Sequence, residues 1–234
     1  MKEVIYRGAH LFVWAGSKEK AIVLVHGGKA STEVTKKMGE EYATYFFPAF
    51  TIISVDYRFS SYGGKELEDV LKAISYVKNL GIQKIYLIGE SHGAYLALLA
   101  AAQEEVEGVI DAYGPTDLLR MQTFATKENP QLDIDWADYI QATEKECKES
   151  GLGLEECIKR RSPYYLAEEI KAPVLILHGT DDTVVPISQS EILVERFKEI
   201  GKRNYQFVPL KGYEHGFSLL EGEVLEKVRA FLNR

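Results

Sequence analysis

Residues 84–102 read KIYLIGESHGAYLALLAAA, and this stretch decides the fold. Residues 85–88 are nearly all apolar, which predicts a strand buried on both faces. The run ends in Gly89-Glu90-Ser91-His92-Gly93, and a helix-favouring run of small residues follows at once. G-x-S-x-G between a buried strand and a helix is typical of a nucleophile elbow. The stretch therefore predicts a strand, a sharp turn that exposes Ser91 Oγ, and a helix.

The flanking glycines and the helix fit this interpretation. Gly89 and Gly93 lack the Cβ atoms that would collide where helix and strand pack closely. The N-terminus of a helix carries partial positive charge and would face chemistry at Ser91. The same five-residue pattern also occurs by chance as a mere tight turn. The assignment therefore depends on what the rest of the chain supplies.

Strand-like and helix-like segments alternate over most of the chain. Residues 4–15 read as two short strands that turn near Gly8, an antiparallel edge before the main sheet. Alternation of apolar strands with amphipathic helices implies right-handed crossovers and a mostly parallel sheet. Further strands are predicted at 21–25, 51–55, 108–112, 174–177 and 205–208, and helices at about 31–46, 65–79, 188–200 and 221–232.

Residues 116–162 break this alternation. The segment is charged, has helical rather than strand character, and is too long for a simple connection between a strand and a helix. We therefore predict an α/β core domain formed by residues 1–115 and 163–234. A small helical cap is inserted into it at residues 116–162.

The composition is that of a globular protein. The 234 residues suit one α/β domain with a small insertion, and 46% hydrophobic with 27% charged residues excludes wholesale disorder. A net charge of -7 without a clustered basic stripe argues against binding to nucleic acid. Apolar runs are too short to span a membrane, and the N-terminal MKEVIYRG lacks the apolar core of a signal peptide. The resulting prediction is a cytoplasmic, soluble protein.

The chain has two cysteines, Cys147 and Cys157, without Cys or His companions at zinc spacing. We expect free thiols in a reducing compartment, because cytosolic disulfides are uncommon outside hyperthermophiles. The alternative is one local disulfide, formed if two helices meet at Gly151-Leu152-Gly153. A composition rich in Lys and Glu with little Asn is a feature of thermophilic proteins, and predicts a thermostable chain.

Two later segments supply partners for a nucleophilic serine. Such a serine needs a base that takes its proton and a carboxylate that orients the base. Open α/β sheets gather their sites at the carboxyl ends of strands. His178-Gly179-Thr180-Asp181-Asp182 follows one predicted strand, and His215 follows the next. The order serine, aspartate, histidine is the expected one, although position along the chain leaves both aspartates open as the acid.

These motifs resemble the α/β-hydrolase superfamily, and within it the prolyl-oligopeptidase-like and acylaminoacyl-peptidase-like serine esterases. Ser162-Pro163, residues 172–180 and Val184-Val185-Pro186 are similar to the segment around the acid in that branch, HG-x-x-D-x-x-V-P. The resemblance covers almost all of the chain from residue 21 onward, apart from the cap. It implies the α/β-hydrolase fold, with Asp182 as the acid and His215, in an E-H-G-F context, as the catalytic histidine.

The oxyanion of a tetrahedral intermediate needs backbone donors. One is expected at His92, the residue after the nucleophile, and the other in the loop His26-Gly27-Gly28. Gly28 is the predicted donor. Lys29 is the alternative. Many lipases and esterases carry a third glycine at that position, and this chain has Lys29 there instead. His178, like the histidine of the loop, is expected to hold structure rather than to titrate in catalysis.

The resemblance implies a serine carboxylesterase that hydrolyses short- to medium-chain carboxylic esters through an acyl-enzyme, with a small-molecule ester as its substrate. A peptidase of the same branch that cleaves short or N-acylated peptides is the alternative. Those relatives usually carry a large N-terminal propeller, whereas this chain reaches its first core strand at residue 21, which favours the esterase. A non-catalytic binding module is the third hypothesis, and the presence of all three triad candidates argues against it. No metal or cofactor is expected, and an exposed edge strand or an apolar cap would support a homodimer.

Overall fold

One mixed sheet runs through the structure. The computed structural model describes residues 1–59, 62–129 and 133–234. Its strands are β1 (Lys2–Tyr6), β2 (Ala9–Trp14), β3 (Lys20–Val25), β4 (Thr51–Asp56), β5 (Lys84–Glu90), β6 (Gly108–Ala112), β7 (Val174–Gly179) and β8 (Tyr205–Leu210). They lie in the order β1-β2-β4-β3-β5-β6-β7-β8. The β1–β2 and β2–β4 pairs are antiparallel and the others parallel, so the predicted hairpin edge and mostly parallel sheet are confirmed.

Helices cover both faces of this sheet. The helices of the described residues are α1 (Thr32–Phe46), α2 (Lys65–Asn79), α3 (His92–Ala101), α4 (Leu118–Thr123), α5 (Asp133–Glu149), α6 (Leu154–Arg160), α7 (Ser188–Glu199) and α8 (Gly222–Leu232). One apolar cluster joins the sheet to α2, α3 and α7, and a second joins the opposite face to α1 and α8. The predicted helices of the core are therefore all present, with ends within two residues of the expected ones.

The central strand β5 explains why its sequence is one continuous apolar run. Ile85 and Leu87 pack into the cluster beside α3, whereas Tyr86 and Ile88 pack into the cluster on the other face. All four side chains are at most 2% exposed. Burial of each large apolar side chain stabilises the fold by roughly 2 kcal/mol. A polar residue at any of these positions would therefore face a core, not solvent.

Within residues 116–162, the described part consists mainly of helices joined by turns, and the assignment of a separate cap stays a prediction. A π-helical turn, Phe124–Glu128, follows α4 directly. The segment is tied to the loop before α2. Tyr62 N donates to Thr143 Oγ1 at 3.0 Å, and the Arg161 guanidinium donates to Tyr62 O at 2.8 Å and to Glu146 Oε2 at 2.9 Å. These bonds join α5 and the residue after α6 to the loop before α2.

The cysteines form a disulfide, so the expectation of free thiols is wrong. Cys147 on α5 and Cys157 on α6 are bonded, with 5.7 Å between their Cα atoms. Both side chains are buried. The two helices meet through the turn that contains Gly151, which has φ +73°, and this turn brings the cysteines face to face. The local pairing follows from helix geometry, whereas the thiol expectation came only from the predicted compartment.

Loss of this disulfide is expected to destabilise the protein. Replacement of Cys147 and Cys157 together by alanine should lower the free energy of unfolding by about 3 kcal/mol, because the cross-link restricts the unfolded chain. Urea unfolding of the oxidised protein and of the double variant measures the difference. Dithiothreitol should lower the stability of the wild type and leave the double variant unchanged. Equal stability of oxidised and reduced wild type would show that the bond contributes nothing.

Candidate active site

The turn between β5 and α3 holds Ser91 in a strained conformation. Its backbone has φ 53° and ψ -120°, a region that L residues rarely adopt and that costs on the order of 1–3 kcal/mol. The glycines on either side make this turn sterically feasible. A Cβ at Gly93 would overlap the carbonyl oxygens of Val25 and His26, and one at Gly89 would overlap the backbone of Gly93. The sharp turn predicted from the sequence is present.

Three loops bring Ser91, His215 and Asp182 together. The loops follow β5, β8 and β7, so all three side chains lie at the carboxyl edge of the parallel sheet. His215 Nε2 lies 3.0 Å from Ser91 Oγ, and His215 Nδ1 lies 2.7 Å from Asp182 Oδ2. Because the carboxylate can only accept, Nδ1–H donates to it and Nε2 is left to accept from the serine hydroxyl.

Asp182 is held as an ionised acceptor. Burial alone would raise its pKa, but hydrogen bonds from His178 and His215, and the N–H of Val185, hold the pKa of this carboxyl well below its usual range. Its Oδ1 accepts from the N–H groups of Val184 and Val185, both at 2.9 Å. The two carboxylate oxygens therefore have separate tasks, one anchored to the backbone and one presented to imidazole rings.

His178 lies closer to the acid than the sequence suggested. It is fully buried, its Nε2 donates to Val185 O at 2.9 Å and lies 3.3 Å from Asp182 Oδ2, and its Nδ1 lies 2.7 Å from Ser190 Oγ. The expected structural role stays a prediction. The contact with the acid was not anticipated, because no sequence signal separates a histidine that ends a strand from one that also supports a carboxylate.

The neighbouring Asp181 is arranged differently. Its side chain is exposed, and its Oδ1 accepts from Thr180 Oγ1 at 2.7 Å. Its backbone N–H donates to Tyr213 O at 3.0 Å, which joins the acid loop to the loop that carries His215. Of the two aspartates, the structure therefore brings only Asp182 to the histidine.

The loop that carries Gly28 lies beside His92, the other residue predicted to donate to the oxyanion. A Cβ built on Gly28 would be 3.6 Å from His92 Cβ, so the loop after β3 passes next to the start of α3. The neighbouring Lys29 has φ 57°, which marks the sharp bend of this loop. Both Gly28 and Lys29 remain candidates for the second donor.

His26 holds this loop in shape. Its ring stacks on Tyr57 at 4.0 Å, and its Nδ1–H donates to Gly27 O at 2.7 Å. The Tyr57 hydroxyl donates to the carbonyl oxygens of His26 and Gly27 at 2.9 and 3.1 Å. Burial lowers the pKa of His26 to about 4, so the ring is neutral near pH 7. These contacts agree with the expected structural role.

Two further residues border the site without a sequence signal for their role. Glu90 precedes the nucleophile, and its carboxylate accepts from the Tyr113 hydroxyl at 3.2 Å. The Tyr113 ring lies 4.8 Å from the His215 ring.

No group of three His, Cys, Asp or Glu side chains placed to hold a metal ion occurs in residues 1–59, 62–129 and 133–234. Within the same ranges, no helix has the length and apolar character needed to cross a membrane.

The BD-FAE family model matches residues 13–197. The chain belongs to the BD-FAE family. The match runs from β2 into α7 and so includes Ser91 and Asp182, whereas His215 lies after its end.

Comparison with known proteins places this BD-FAE chain among α/β-hydrolases. Esterase LipC of Mycobacterium tuberculosis is 33% identical over 67 residues, which are 29% of this chain and 17% of LipC. A puromycin-hydrolyzing peptidase of Mycobacterium tuberculosis is 24% identical with a TM-score of 0.73, over 96% of this chain and 36% of that chain. The Pyrococcus furiosus esterase Pf2001 is 19% identical with a TM-score of 0.71, over 100% of this chain and 91% of that chain. The α/β-hydrolase fold predicted from the sequence is thus confirmed, and the chain spans well under two thirds of LipC and of the puromycin-hydrolyzing peptidase.

Proposed function

We propose that this protein is a serine carboxylesterase in which Ser91 is the nucleophile, His215 the general base and Asp182 the orienting acid. The observation that carries the proposal is the 3.0 Å contact between His215 Nε2 and Ser91 Oγ, with Nδ1 of the same ring 2.7 Å from Asp182 Oδ2. A nucleophile, a base and an orienting group within hydrogen-bond reach of one another are the arrangement that nucleophilic catalysis requires. Similarity to esterases adds support.

The first half of the reaction forms the acyl-enzyme. Ser91 Oγ attacks the ester carbonyl carbon while His215 Nε2 takes the hydroxyl proton, and Asp182 stabilises the imidazolium that results. The oxyanion accepts hydrogen bonds from the His92 N–H and, in this proposal, the Gly28 N–H. The tetrahedral intermediate collapses as His215 gives its proton to the leaving alcohol.

The second half releases the acid. A water takes the place of the alcohol, His215 removes its proton, and the resulting hydroxide attacks the acyl carbon bonded to Ser91 Oγ. Collapse of the second intermediate returns the proton to Ser91 and frees the carboxylate product. The same three side chains therefore serve both half-reactions, and the proposed steps use only these groups, the ester and water.

We also propose that residues 116–162 act as a cap that limits the acyl chain. Asn129, directly after the π-helical turn, donates from Nδ2 to Thr183 O at 2.9 Å. Thr183 follows the proposed acid in the chain, so this segment reaches the edge of the site. A site bounded in this way suits acyl groups of short to medium length.

Two matched substrate series test the proposed reaction. With p-nitrophenyl esters from acetate to palmitate, we expect kcat/KM to be highest at short or medium chain length. With an ester and an anilide of the same N-acylated amino acid, we expect the ester to be strongly preferred. A preference for the anilide would favour the peptidase alternative. No turnover of either class by folded protein would favour a non-catalytic binding module.

A further inference from the structure

The residue before the nucleophile carries a carboxylate that two tyrosines hold. Glu90 Oε1 accepts from the Tyr42 hydroxyl on α1 at 3.3 Å, and Oε2 accepts from the Tyr113 hydroxyl after β6 at 3.2 Å. Both tyrosine side chains are at most 2% exposed. One donor on each oxygen fixes the orientation of the carboxylate while it stays an acceptor. Nothing in nucleophilic catalysis by Ser91 requires this carboxyl group.

Tyr113 connects this carboxylate to the proposed base. Its ring lies 4.8 Å from the His215 ring and 4.7 Å from the Phe217 ring, at interplanar angles of 67° and 71°. Its backbone has φ +48°, a left-handed conformation that is costly for a residue with a side chain, and its N–H donates to Leu177 O at 2.8 Å. The backbone is thus held in a strained form that turns this ring toward the histidine loop.

The loop that carries His215 needs such support. It follows β8, the last strand at one edge of the sheet, and it bends at Gly212 and Gly216, whose φ angles are +79° and +83°. The contacts of Tyr113 with His215 and Phe217 hold both sides of Gly216. Loss of this ring would leave the imidazole with more freedom at Ser91 Oγ.

Glu90 lies among other titratable groups. Burial raises the pKa of Glu90, and the hydrogen bonds from Tyr113 and Tyr42 oppose that rise. Glu41 on α1 adds a further raising effect, while its own carboxylate lies 3.7 Å from Lys37 Nζ. These side chains, with Tyr42 and the neutral ring of His26, line a cavity of about 480 Å³ beside the elbow.

Two contacts orient the His215 ring. Asp182 accepts from Nδ1, with His178 on the far side of the same carboxylate, and the Tyr113 ring lies against the imidazole. The orientation of the imidazole therefore depends on Tyr113 as well as on the acid.

We propose that Glu90 and Tyr113 are positioning residues for His215: the Glu90 carboxylate anchors the Tyr113 hydroxyl, and the Tyr113 ring holds the imidazole at Ser91 Oγ. The inference rests on the proposed esterase function for its effect on rate. The orientation of the His215 ring does not depend on turnover.

NMR spectra of the His215 ring test the positioning without turnover. Glu90→Leu removes both acceptor oxygens, so the Tyr113 ring loses its anchor and the His215 ring resonances should shift or broaden. His215→Asn assigns those resonances among the five histidines. Glu41→Leu is the matched control, because it removes a carboxylate from the same cavity without touching Tyr113, and it should leave the His215 resonances unchanged. Identical His215 spectra in Glu90→Leu and in the wild type would overturn the proposal.

Kinetics of Tyr113 variants test the positioning part. Tyr113→Phe keeps the ring and loses the anchor, and it should lower kcat about threefold. Tyr113→Leu loses both and should lower kcat about tenfold or more, with KM within about twofold of wild type, since only alignment of the base is affected.

Two outcomes separate this inference from the proposed function. A wild type that hydrolyses esters, with both Tyr113 variants within twofold of its kcat, would overturn the positioning role and keep the esterase. If Tyr113→Leu does not fold, Tyr113→Phe decides. A wild type without hydrolysis would overturn the proposed function, while the NMR comparison would still decide whether Glu90 acts on His215.

Discussion

Replacement of Ser91 by alanine is expected to abolish ester hydrolysis, with kcat/KM falling by roughly 10⁴- to 10⁶-fold. Without Oγ there is no atom to form the acyl-enzyme, and His215 is left with no proton to take. Initial rates with a p-nitrophenyl ester, measured at high enzyme concentration, give the residual activity. Backbone donors at the oxyanion position alone would account for what remains.

The fold of Ser91→Ala should be unchanged. Alanine removes one atom and must adopt the same backbone, whose φ is 53°, so circular dichroism and Tm should match the wild type closely. Ser218→Ala is the matched control. Ser218 lies three residues after His215, its Oγ accepts from Leu220 N, and it has no place in the proposed chemistry. Turnover retained by Ser91→Ala, or lost equally in Ser218→Ala, would contradict the mechanism.

Asp182→Asn is expected to lower kcat by roughly 10⁴-fold near pH 7. The amide oxygen would take the position of Oδ1, because the N–H groups of Val184 and Val185 both donate there at 2.9 Å. The amide NH₂ would then face His215 Nδ1. A donor at that point favours the tautomer with the proton on Nε2, and that tautomer cannot accept the proton of Ser91. Steady-state kinetics across pH 5–9 measure the loss.

The adjacent aspartate gives the control for this experiment. Asp181 is exposed and accepts from Thr180 Oγ1, so Asp181→Asn should keep kcat within about threefold of wild type. Both variants change one carboxylate to an amide in the same turn, and only Asp182 contacts His215. A large loss in Asp181→Asn together with near-normal activity in Asp182→Asn would move the acid to Asp181.

The elements that could be predicted are those with a local cause. The β5 run, the glycines beside Ser91 and the helix that follows are encoded in neighbouring residues, so the turn was readable from the sequence. The strand ends were less exact, because β7 continues to Gly179 and β8 to Leu210, where pairing with a neighbouring strand extends the ladder. Pairing of that kind depends on contacts between distant residues.

The contacts that could not be predicted join residues far apart in the chain. Glu90 and Tyr113 are separated by 23 positions, and neither lies in a motif that predicts their hydrogen bond. His178 was visible in its motif, but its distance to the acid depends on how the loop after β7 folds back. The cysteines were misjudged for another reason: the predicted compartment outweighed the local geometry of two helices joined by a short glycine-containing turn.

Labelling with a fluorophosphonate, followed by peptide mapping, tests most directly whether Ser91 is an activated nucleophile. We expect one adduct per chain, located on Ser91, absent from Ser91→Ala and formed far more slowly in Asp182→Asn. A folded wild type that acquires no adduct, or that acquires it on another serine, would contradict the account.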